Sequence, residues 1–522
     1  MASRGTKIGI LIAAVVVAGV LVWGVVLGAL GFIVSQAGQT AAPVTKPVPS
    51  ASASAAIDPS LARFYDQRID WKACGSAECG KVTVPLDYAN PDGETIELSV
   101  TRVASNGDGR LGSLFVNPGG PGGSAVEYAQ AADYVVTDQI RNAYDIVGVD
   151  PRGVGQSTPV TCLTDKQIDA LVAIDGTPDT PAETQALIDM APVPGRGCAA
   201  KGDPIFAHMG TEDTVRDLDI TRAAVGDPVL NYLGKSYGSL IGQVYAQLFP
   251  GNVGRMVIDG ILPAALDNVA ITEGQAIAFE EAFADFAADC SSHSDCPFEG
   301  SGPQVADALR SWITGLDAEP IPVGKRSVNE AIAAYAVASY LYFPSYDYPQ
   351  LRSALEAAVN KRDGAPLMDL LDQRISRDPD GKYTDNSNDA FYAVTCLDRP
   401  YTGTVDEIQS LAKAWQDSAP TFGTGLAWGL LTCKDWPANT VDRITNVTAP
   451  GAPPILVVST THDPATPYAW GVQVAQTLEN ATLLTYDSHG HTAYTEGSEC
   501  IDRNVDAFLL RGTMPTAGTV CS

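Results

Sequence analysis

A serine between two glycines, Gly234-x-Ser236-x-Gly238, is the segment of this sequence best suited to covalent chemistry. It follows an apolar run and precedes apolar residues at helical spacing, which predicts a sharp turn from a strand into a helix. Glycines let the two elements approach closely, and the turn raises the serine hydroxyl above the sheet edge. A serine hydroxyl is a weak nucleophile, so this interpretation requires a histidine base and a carboxylate elsewhere. The alternative is a chance match in a loop.

Two residues near the C-terminus meet that requirement. Asp463 comes shortly after a predicted strand, and His491 lies in Ser488-His489-Gly490-His491-Thr492, after the next predicted strand. Hydrolases with a nucleophile on a strand–turn–helix carry serine, acid and histidine in that chain order, at the carboxyl ends of strands. We expect His491, rather than His489, to be the base and Asp463 to orient it. The alternative for Asp463 is a turn former before Pro464.

A glycine-rich run at residues 118–123 follows an early predicted strand and is suited to binding an oxyanion. The tetrahedral intermediate of acyl transfer needs two backbone N–H donors. We expect one to be the N–H of Tyr237, directly after the nucleophile, and the other to come from this run. A phosphate-binding loop is the alternative, but no lysine follows the last glycine of the run.

Alternating strands and helices through residues 80–260 predict a mostly parallel sheet with helices on both faces. The predicted strands of this part are 81–88, 95–105, 112–116, 144–149, 228–233 and 255–258, and its predicted helices include 125–132 and 211–225. Helical periodicity then dominates, with predicted helices at 271–290, 304–316, 328–341, 348–359 and 405–417 and no predicted strand. Strands return at 454–459 and 481–486, with helices at 469–478 and 504–510. We therefore expect a core of residues 61–264 and 446–522, interrupted by a helical lid at 265–445.

The first 60 residues predict export. Residues 8–34 form an uncharged run of 27 residues, which is long enough to cross a bilayer as a helix. Arg4 and Lys7 precede it, so the positive-inside rule places residues 1–7 in the cytoplasm and the rest of the chain outside. We expect an uncleaved transmembrane signal anchor at the cell membrane, followed by an Ala/Ser/Pro-rich linker at 35–60. Secretion after cleavage of a signal peptide is the alternative.

The ten cysteines agree with export, because an even number outside the cytoplasm predicts disulfides. Their connectivity is open, and the simplest expectation joins neighbours: Cys74–Cys79, Cys162–Cys198, Cys290–Cys296, Cys396–Cys433 and Cys500–Cys521. Zinc is the alternative, but the sequence has no Cys-x-x-Cys pair and only His293 lies near a cysteine pair. We expect no metal and no cofactor. The net charge of −28 disfavours nucleic acid as a partner, because the phosphate backbone would be repelled.

Five segments taken together resemble one family of enzymes. Pro118-Gly119-Gly120-Pro121-Gly122 is similar to the His-Gly-Gly-Pro-Gly motif of prolyl-iminopeptidase-type serine peptidases, with proline in the place of the histidine. Together with the segments at 150–157, 234–238, 463–467 and 490–492, it resembles the secreted tripeptidyl aminopeptidases of actinobacteria and their mycobacterial cell-envelope relatives. The resemblance implies an α/β-hydrolase fold, with an eight-stranded sheet, and cleavage of peptides near a free N-terminus.

The resemblance covers about residues 65–521 and implies that Gly120 and Tyr237 supply the oxyanion hole. An exopeptidase also needs a group that holds the amine of its substrate, and a carboxylate in the lid would serve. The preferred candidate is Asp398, because it lies two residues from Cys396 and its predicted disulfide. The other candidates are Glu280, Glu281 and Asp285. For each of the four, the alternative is a solvated helix face or a salt bridge.

Three functions are compatible with the sequence. The first is a serine exopeptidase that acts on peptides outside the membrane through an acyl-enzyme. The second is a carboxylesterase or lipase on the same fold, which uses the same three side chains. The third is a non-catalytic adhesion or scaffold protein. Such proteins usually lack one member of the triad, whereas all three members are present in this sequence.

Overall fold

The computed structural model describes residues 58–438 and 443–522. The predicted membrane anchor at 8–34 and the linker up to residue 57 lie outside these ranges. Within them, no helix is both long enough and apolar enough to span a bilayer.

A ten-stranded sheet with the order β1-β2-β3-β5-β4-β6-β7-β10-β11-β12 forms the centre of the structure, and a separate hairpin pairs β8 with β9. The strands are β1 Lys72–Cys74, β2 Ala77–Pro85, β3 Thr95–Val103, β4 Gly112–Asn117, β5 Tyr144–Val149, β6 Leu230–Lys235, β7 Val253–Asp259, β8 Ile321–Val323, β9 Arg326–Val328, β10 Ile455–His462, β11 Ala481–His489 and β12 Val520–Cys521.

The strand pairing confirms the expectation of a mostly parallel sheet. The pairs β1–β2, β2–β3 and β3–β5 are antiparallel, and all pairs from β5–β4 to β11–β12 are parallel. The predicted number of eight strands is wrong, because the short strands β1 and β12 extend the two edges. Each is too short to show an alternating pattern in the sequence. The disulfide Cys74–Cys79 ties β1 to β2, and the disulfide Cys500–Cys521 ties β12 to the helix at 499–511.

Helices cover both faces of the sheet, as expected from the alternating pattern. The helices are α1 Ala62–Tyr65, α2 Ala125–Gln130, α3 Ala132–Val135, α4 Asp138–Ala143, α5 Asp165–Ala173, α6 Pro181–Met190, α7 Val193–Lys201, α8 Thr211–Val225, α9 Tyr237–Leu248, α10 Asn268–Ser291, α11 Gly302–Ala318, α12 Glu330–Ser339, α13 Pro344–Lys361, α14 Ala365–Arg374, α15 Ser387–Asp398, α16 Val405–Ser418, α17 Gly423–Gly429, α18 Tyr468–Thr477 and α19 Glu499–Arg511.

Successive residues of a strand point to opposite faces, so each strand contributes to two apolar layers. In β4, Phe115 packs in the layer that contains buried residues of α8 and α9, such as Ile241. Its neighbours Leu114 and Val116 pack in the opposite layer, with residues of α4 and α19 such as Phe508.

A block of helices, α10–α17, lies between β7 and β10. Helices α10–α14 share an apolar core of their own, whereas the buried residues of α15–α17 belong to the core that covers one face of the sheet. We call this block, with the hairpin β8–β9, the helical insertion. The hairpin corrects the expectation that the insertion contains no strand, because three-residue strands are too short for a period-two pattern.

Helices α5–α7, between β5 and α8, were also missed by the sequence analysis. Capping boxes mark the starts of the first two of these helices, with Thr164 and Gln167 at α5 and with Thr180 and Glu183 at α6. This signal was present in the sequence, since a Thr three residues before Gln or Glu is typical of a helix N-terminus.

The structure joins the ten cysteines into five disulfides, between the neighbouring pairs expected from the sequence. The pair Cys162–Cys198 ties the segment before α5 to α7, and the pair Cys396–Cys433 ties α15 to the segment after α17. Disulfides of this kind persist in oxidising compartments, which agrees with an extracytoplasmic location.

Candidate active site

Ser236 occupies a strained turn between β6 and α9. Its backbone has φ 57° and ψ −123°, a conformation that is uncommon for a residue with a side chain and costs ~1–3 kcal/mol. The Ser236 N–H donates a 2.9 Å hydrogen bond to the carbonyl oxygen of Asp259, at the end of β7. The side chain is half-buried. The neighbouring strand therefore holds the turn, while part of the serine remains accessible.

The two glycines of the turn are required by close approach. A Cβ on Gly234 would lie 2.3 Å from the carbonyl oxygen of Gly238, and a Cβ on Gly238 would lie 2.8 Å from the carbonyl oxygen of Asn117. Both contacts are with backbone atoms that cannot move aside easily. This confirms the prediction that a side chain at either glycine would prevent the close approach of strand and helix.

Asp463 and His491 are hydrogen-bonded to each other. Nδ1 of His491 lies 2.9 Å from Oδ1 and 3.0 Å from Oδ2 of Asp463. The carboxylate is 2% exposed and also accepts hydrogen bonds from the N–H groups of Ala465, Thr466 and Thr492. A carboxylate with these donors around it acts as an acceptor, so we place a proton on Nδ1 of His491. Nε2 is then left as the basic nitrogen of the imidazole.

The loop that carries His491 is held by β6, which leads into Ser236, and by the neighbouring strand β7. The buried carboxylate of Asp259, in β7, accepts hydrogen bonds of 3.0 Å and 2.9 Å from the N–H groups of Ala493 and Tyr494. Lys235, the last residue of β6, donates a 2.7 Å hydrogen bond from Nζ to the carbonyl oxygen of Tyr494. Burial raises the pKa of Asp259. These bonds position the imidazole loop relative to the nucleophile turn.

The end of β7 and the turn after it contact both His491 and the nucleophile turn. A Cβ on Gly260 would lie 3.3 Å from Cε1 of His491, so the ring packs against this residue. The preceding residue, Asp259, accepts the N–H of Ser236. Ser236, Asp463 and His491 follow the carboxyl ends of β6, β10 and β11 respectively, at the same edge of the sheet.

The glycine-rich run packs directly against the nucleophile turn. A Cβ on Gly119 would lie 2.9 Å from both the backbone N of Tyr237 and Cβ of Ser236. The side-chain oxygen of Asn117 accepts a 2.9 Å hydrogen bond from the Gly119 N–H and so fixes the start of the run. Gly119 is thus the residue in contact with the turn, and the predicted Gly120 follows it. Tyr237 is the first residue of α9, where a backbone N–H has no acceptor within the helix.

Comparison with known proteins identifies the family. A family model described as TAP-like protein matches residues 419–521, the part of the chain that contains Asp463 and His491. The serine protease Hip1 of Mycobacterium tuberculosis (strain H37Rv) is 36% identical over 486 residues, which cover 87% of this chain and 91% of the relative. The chain belongs to the TAP-like family of α/β-hydrolases.

Two further relatives define the range of names within the TAP-like family. The tripeptidyl aminopeptidase of Streptomyces coelicolor is 31% identical over 483 residues, covering 89% of this chain and 87% of the relative. The carboxylesterase B of Mycobacterium tuberculosis (strain H37Rv) is 34% identical over 454 residues, covering 86% of each chain. These matches confirm the resemblance that the motifs indicated.

Asp398 does not occupy the position expected of an amine-binding residue in a TAP-like exopeptidase. Its side chain is 4% exposed, and its two carboxylate oxygens accept hydrogen bonds from the N–H and the hydroxyl of Thr211. Burial raises the pKa of Asp398. The Thr211 hydroxyl in turn lies 2.7 Å from the hydroxyl of Tyr237. Asp398 therefore supports the side chain of Tyr237 from within the protein, and this corrects the prediction that it binds substrate.

The other predicted carboxylates of the insertion are engaged or exposed. Glu280 pairs with Arg310 at 2.9 Å and accepts the N–H of Thr421. Asp285 is bound to His489, and Glu281 is exposed on α10.

Glu127, on α2 directly after the glycine-rich run, is a carboxylate that the sequence analysis missed. No described residue forms a hydrogen bond or an ion pair with its side chain, which is half-buried. Burial raises its pKa to about 7, with further contributions from the carboxylates of Asp150 and Asp385. Asp385 belongs to the insertion, and a Cβ on Gly122 would lie 2.7 Å from the carbonyl oxygen of Ser387. Glu127 therefore lies where the glycine-rich run meets the insertion.

The insertion also contacts His491. The carbonyl oxygen of Tyr342, between α12 and α13, accepts a 2.8 Å hydrogen bond from the His491 N–H. The Tyr342 ring packs edge-on against the imidazole, with 5.4 Å between the ring centroids. One side of the base is therefore covered by the insertion, which separates it from bulk water.

Proposed function

We propose that this protein is an extracytoplasmic serine exopeptidase that cleaves short peptides from a free N-terminus through an acyl-enzyme. The observation that carries this proposal is the hydrogen bond from Nδ1 of His491 to the carboxylate of Asp463, at the same edge of the sheet as the strained turn of Ser236. Two relatives are named serine protease and tripeptidyl aminopeptidase, which supports the same class of reaction.

In the first half of the reaction, Nε2 of His491 removes the hydroxyl proton of Ser236 as Oγ attacks the substrate carbonyl. Asp463 stabilises the imidazolium that forms. The N–H of Tyr237 and an N–H of the glycine-rich run, for which we propose Gly120, donate to the developing oxyanion. The imidazolium then returns the proton to the leaving amine, and the peptide bond breaks. Water, deprotonated by His491, hydrolyses the remaining ester in the second half.

We propose that the helical insertion acts as a lid over this site and that residues 8–34 anchor the chain in the cell membrane, with the catalytic part outside. The contact of Tyr342 with His491 supports the role of the lid. The five disulfides and the uncharged run at 8–34 support the location. Release after cleavage of this run remains the alternative form of the same enzyme.

A digest of a peptide library, with free and with acetylated N-termini, tests the proposed activity. We expect short N-terminal fragments to be released from the free peptides, with a kcat/KM at least about tenfold higher than for the acetylated peptides, because a charged pair contributes ~1.5–3 kcal/mol. The second candidate is an ester hydrolase, since one relative is named carboxylesterase B. Turnover of p-nitrophenyl esters with no cleavage of either peptide set would favour that candidate and contradict the peptidase.

We propose Glu127 as the residue that binds the substrate ammonium group, because its carboxylate has no partner in the described ranges and lies next to the glycine-rich run. The pKa of about 7 is raised, so the carboxylate is ionised above pH 7 and becomes neutral below it. The ratio of kcat/KM for free to acetylated peptides should therefore fall between pH 7 and pH 5.5. Glu127→Gln should raise KM for free peptides about tenfold and make this ratio independent of pH in that interval.

Glu281→Gln is the matched control, because it makes the same change at an exposed glutamate of the insertion. It should leave both the KM and the pH profile of the ratio unchanged. An unchanged KM in Glu127→Gln would exclude Glu127 from amine binding but leave the serine chemistry untouched.

A further inference from the structure

Three side chains with metal-binding atoms meet beside the proposed catalytic residues. His462 ends β10 and His489 ends β11, and the two are paired across these parallel strands. Their imidazole rings stack, with 4.3 Å between the centroids and 16° between the planes. Asp285, on α10 of the insertion, contacts this pair, with Oδ2 2.7 Å from Nδ1 of His489. The site is thus built from two separate parts of the fold.

The spacing of the ligand atoms suits one small cation. One nitrogen or oxygen atom of each residue lies within 4.8 Å of the corresponding atoms of the other two. In a tetrahedral zinc site, with bonds of ~2.0–2.1 Å, ligand atoms are about 3.4 Å apart. Both histidines are exposed and Asp285 is half-buried, so modest side-chain rotations can close the difference.

We propose that Asp285, His462 and His489 bind a zinc ion that fastens the helical insertion to the carboxyl edge of the sheet. Two imidazole nitrogens and one carboxylate oxygen are a ligand set that zinc uses in proteins, with water as the fourth ligand. Magnesium and calcium prefer oxygen ligands only, so this set disfavours them. This site differs from the expectation of no metal, which rested on the cysteines alone, because its three residues are far apart in the chain.

The position of the ion connects it to the catalytic loops through the backbone. His462 directly precedes Asp463, and His489 lies two residues before His491. The N–H of Gly490 donates a 3.1 Å hydrogen bond to the carbonyl oxygen of His462, so the two loops are already joined. Zinc would add a link from these loops to α10. It takes no part in the proposed acyl transfer, since the ion is bound by His489 and not by His491.

Calorimetric titration of the full chain with zinc chloride, after removal of metals with EDTA, tests the site. We expect one zinc ion per chain, and an affinity at least tenfold weaker in His489→Ala and in Asp285→Asn. His293→Ala is the matched control, because His293 is a histidine next to the C-terminal end of α10 that lies outside the cluster; its affinity should equal that of the wild type. The titration is repeated on Ser236→Ala, so that its result does not depend on peptidase activity.

Two further readouts separate a built site from chance binding. Cobalt chloride in place of zinc should give the visible absorption of a four-coordinate ion in the wild type and in His293→Ala, but not in His489→Ala. Zinc should also slow amide hydrogen exchange in α10 of the wild type and of His293→Ala, but not in His489→Ala. Circular dichroism checks that each variant is folded. If His489→Ala is not folded, His489→Gln is used in its place. Absence of a stoichiometric site, or weak multiple binding that all variants share, would overturn the proposal.

Discussion

Replacing Ser236 with alanine should lower kcat for peptide hydrolysis by about 10⁶-fold, the largest effect expected of any single change in this protein. The reason is that the covalent path disappears, because alanine has no oxygen to attack the carbonyl. Substrate binding should persist, since the glycine-rich run and the insertion are unchanged. The expected result is a small residual rate from the oxyanion donors, measured with a chromogenic peptide substrate under single-turnover conditions.

Ser311→Ala serves as the control for this change, because Ser311 is exposed on α11 and contacts none of the proposed catalytic residues. Its kcat should equal that of the wild type. The free energy of unfolding of Ser236→Ala, measured by denaturant titration, should equal that of the wild type within about 0.5 kcal/mol, since only one hydroxyl is removed. A Ser236→Ala enzyme that retains more than a few per cent of wild-type kcat would contradict the assignment of the nucleophile.

Asp463→Asn should lower kcat by about 10⁴-fold while it leaves KM nearly unchanged. The carboxylate accepts from Nδ1 of His491 and from three backbone N–H groups. An amide of the same shape must turn its oxygen either towards the backbone donors or towards the imidazole. If the oxygen faces the backbone donors, the NH₂ group faces Nδ1 and stabilises the tautomer with the proton on Nε2, which cannot act as a base.

Asp487→Asn tests whether the loss is specific, because Asp487 is an exposed aspartate in β11 that bonds to Thr461 and does not contact His491. We expect its kcat and KM to match the wild type. Steady-state kinetics on both variants measure the difference, and equal rates for Asp463→Asn and the wild type would remove Asp463 from the mechanism.

Elements whose signal is local were predicted well from the sequence. The strand at 144–149 and the helix at 211–225 have the same bounds in the structure as in the prediction, because turn-forming residues follow each of them, Asp150-Pro151 and Gly226 respectively. The proposed catalytic residues Ser236, Asp463 and His491 were predicted in the same way, since each follows the end of a predicted strand. Parallel strands bring such ends to one edge of a sheet, so the sequence predicts that the three residues lie close together.

Features that depend on distant contacts were not predictable. Asp398 was chosen as a ligand for substrate because of its nearby cysteine, but its partner Thr211 is 187 residues away in the chain. The cluster of Asp285, His462 and His489 likewise combines residues from α10 and two strands. Within the glycine-rich run, every glycine permits the required backbone, so the sequence does not distinguish Gly119 from Gly120 as the residue that contacts the turn.

Labelling with a fluorophosphonate probe, followed by mass spectrometry of the tryptic peptides, tests most directly whether Asp463 and His491 activate Ser236. We expect a single phosphonylated residue, Ser236, in the wild type. We also expect a rate of labelling at least about 10³-fold lower in Asp463→Asn, and no labelled peptide in Ser236→Ala. Labelling of another residue, or an equal rate in Asp463→Asn, would contradict the activation of Ser236 by Asp463 and His491.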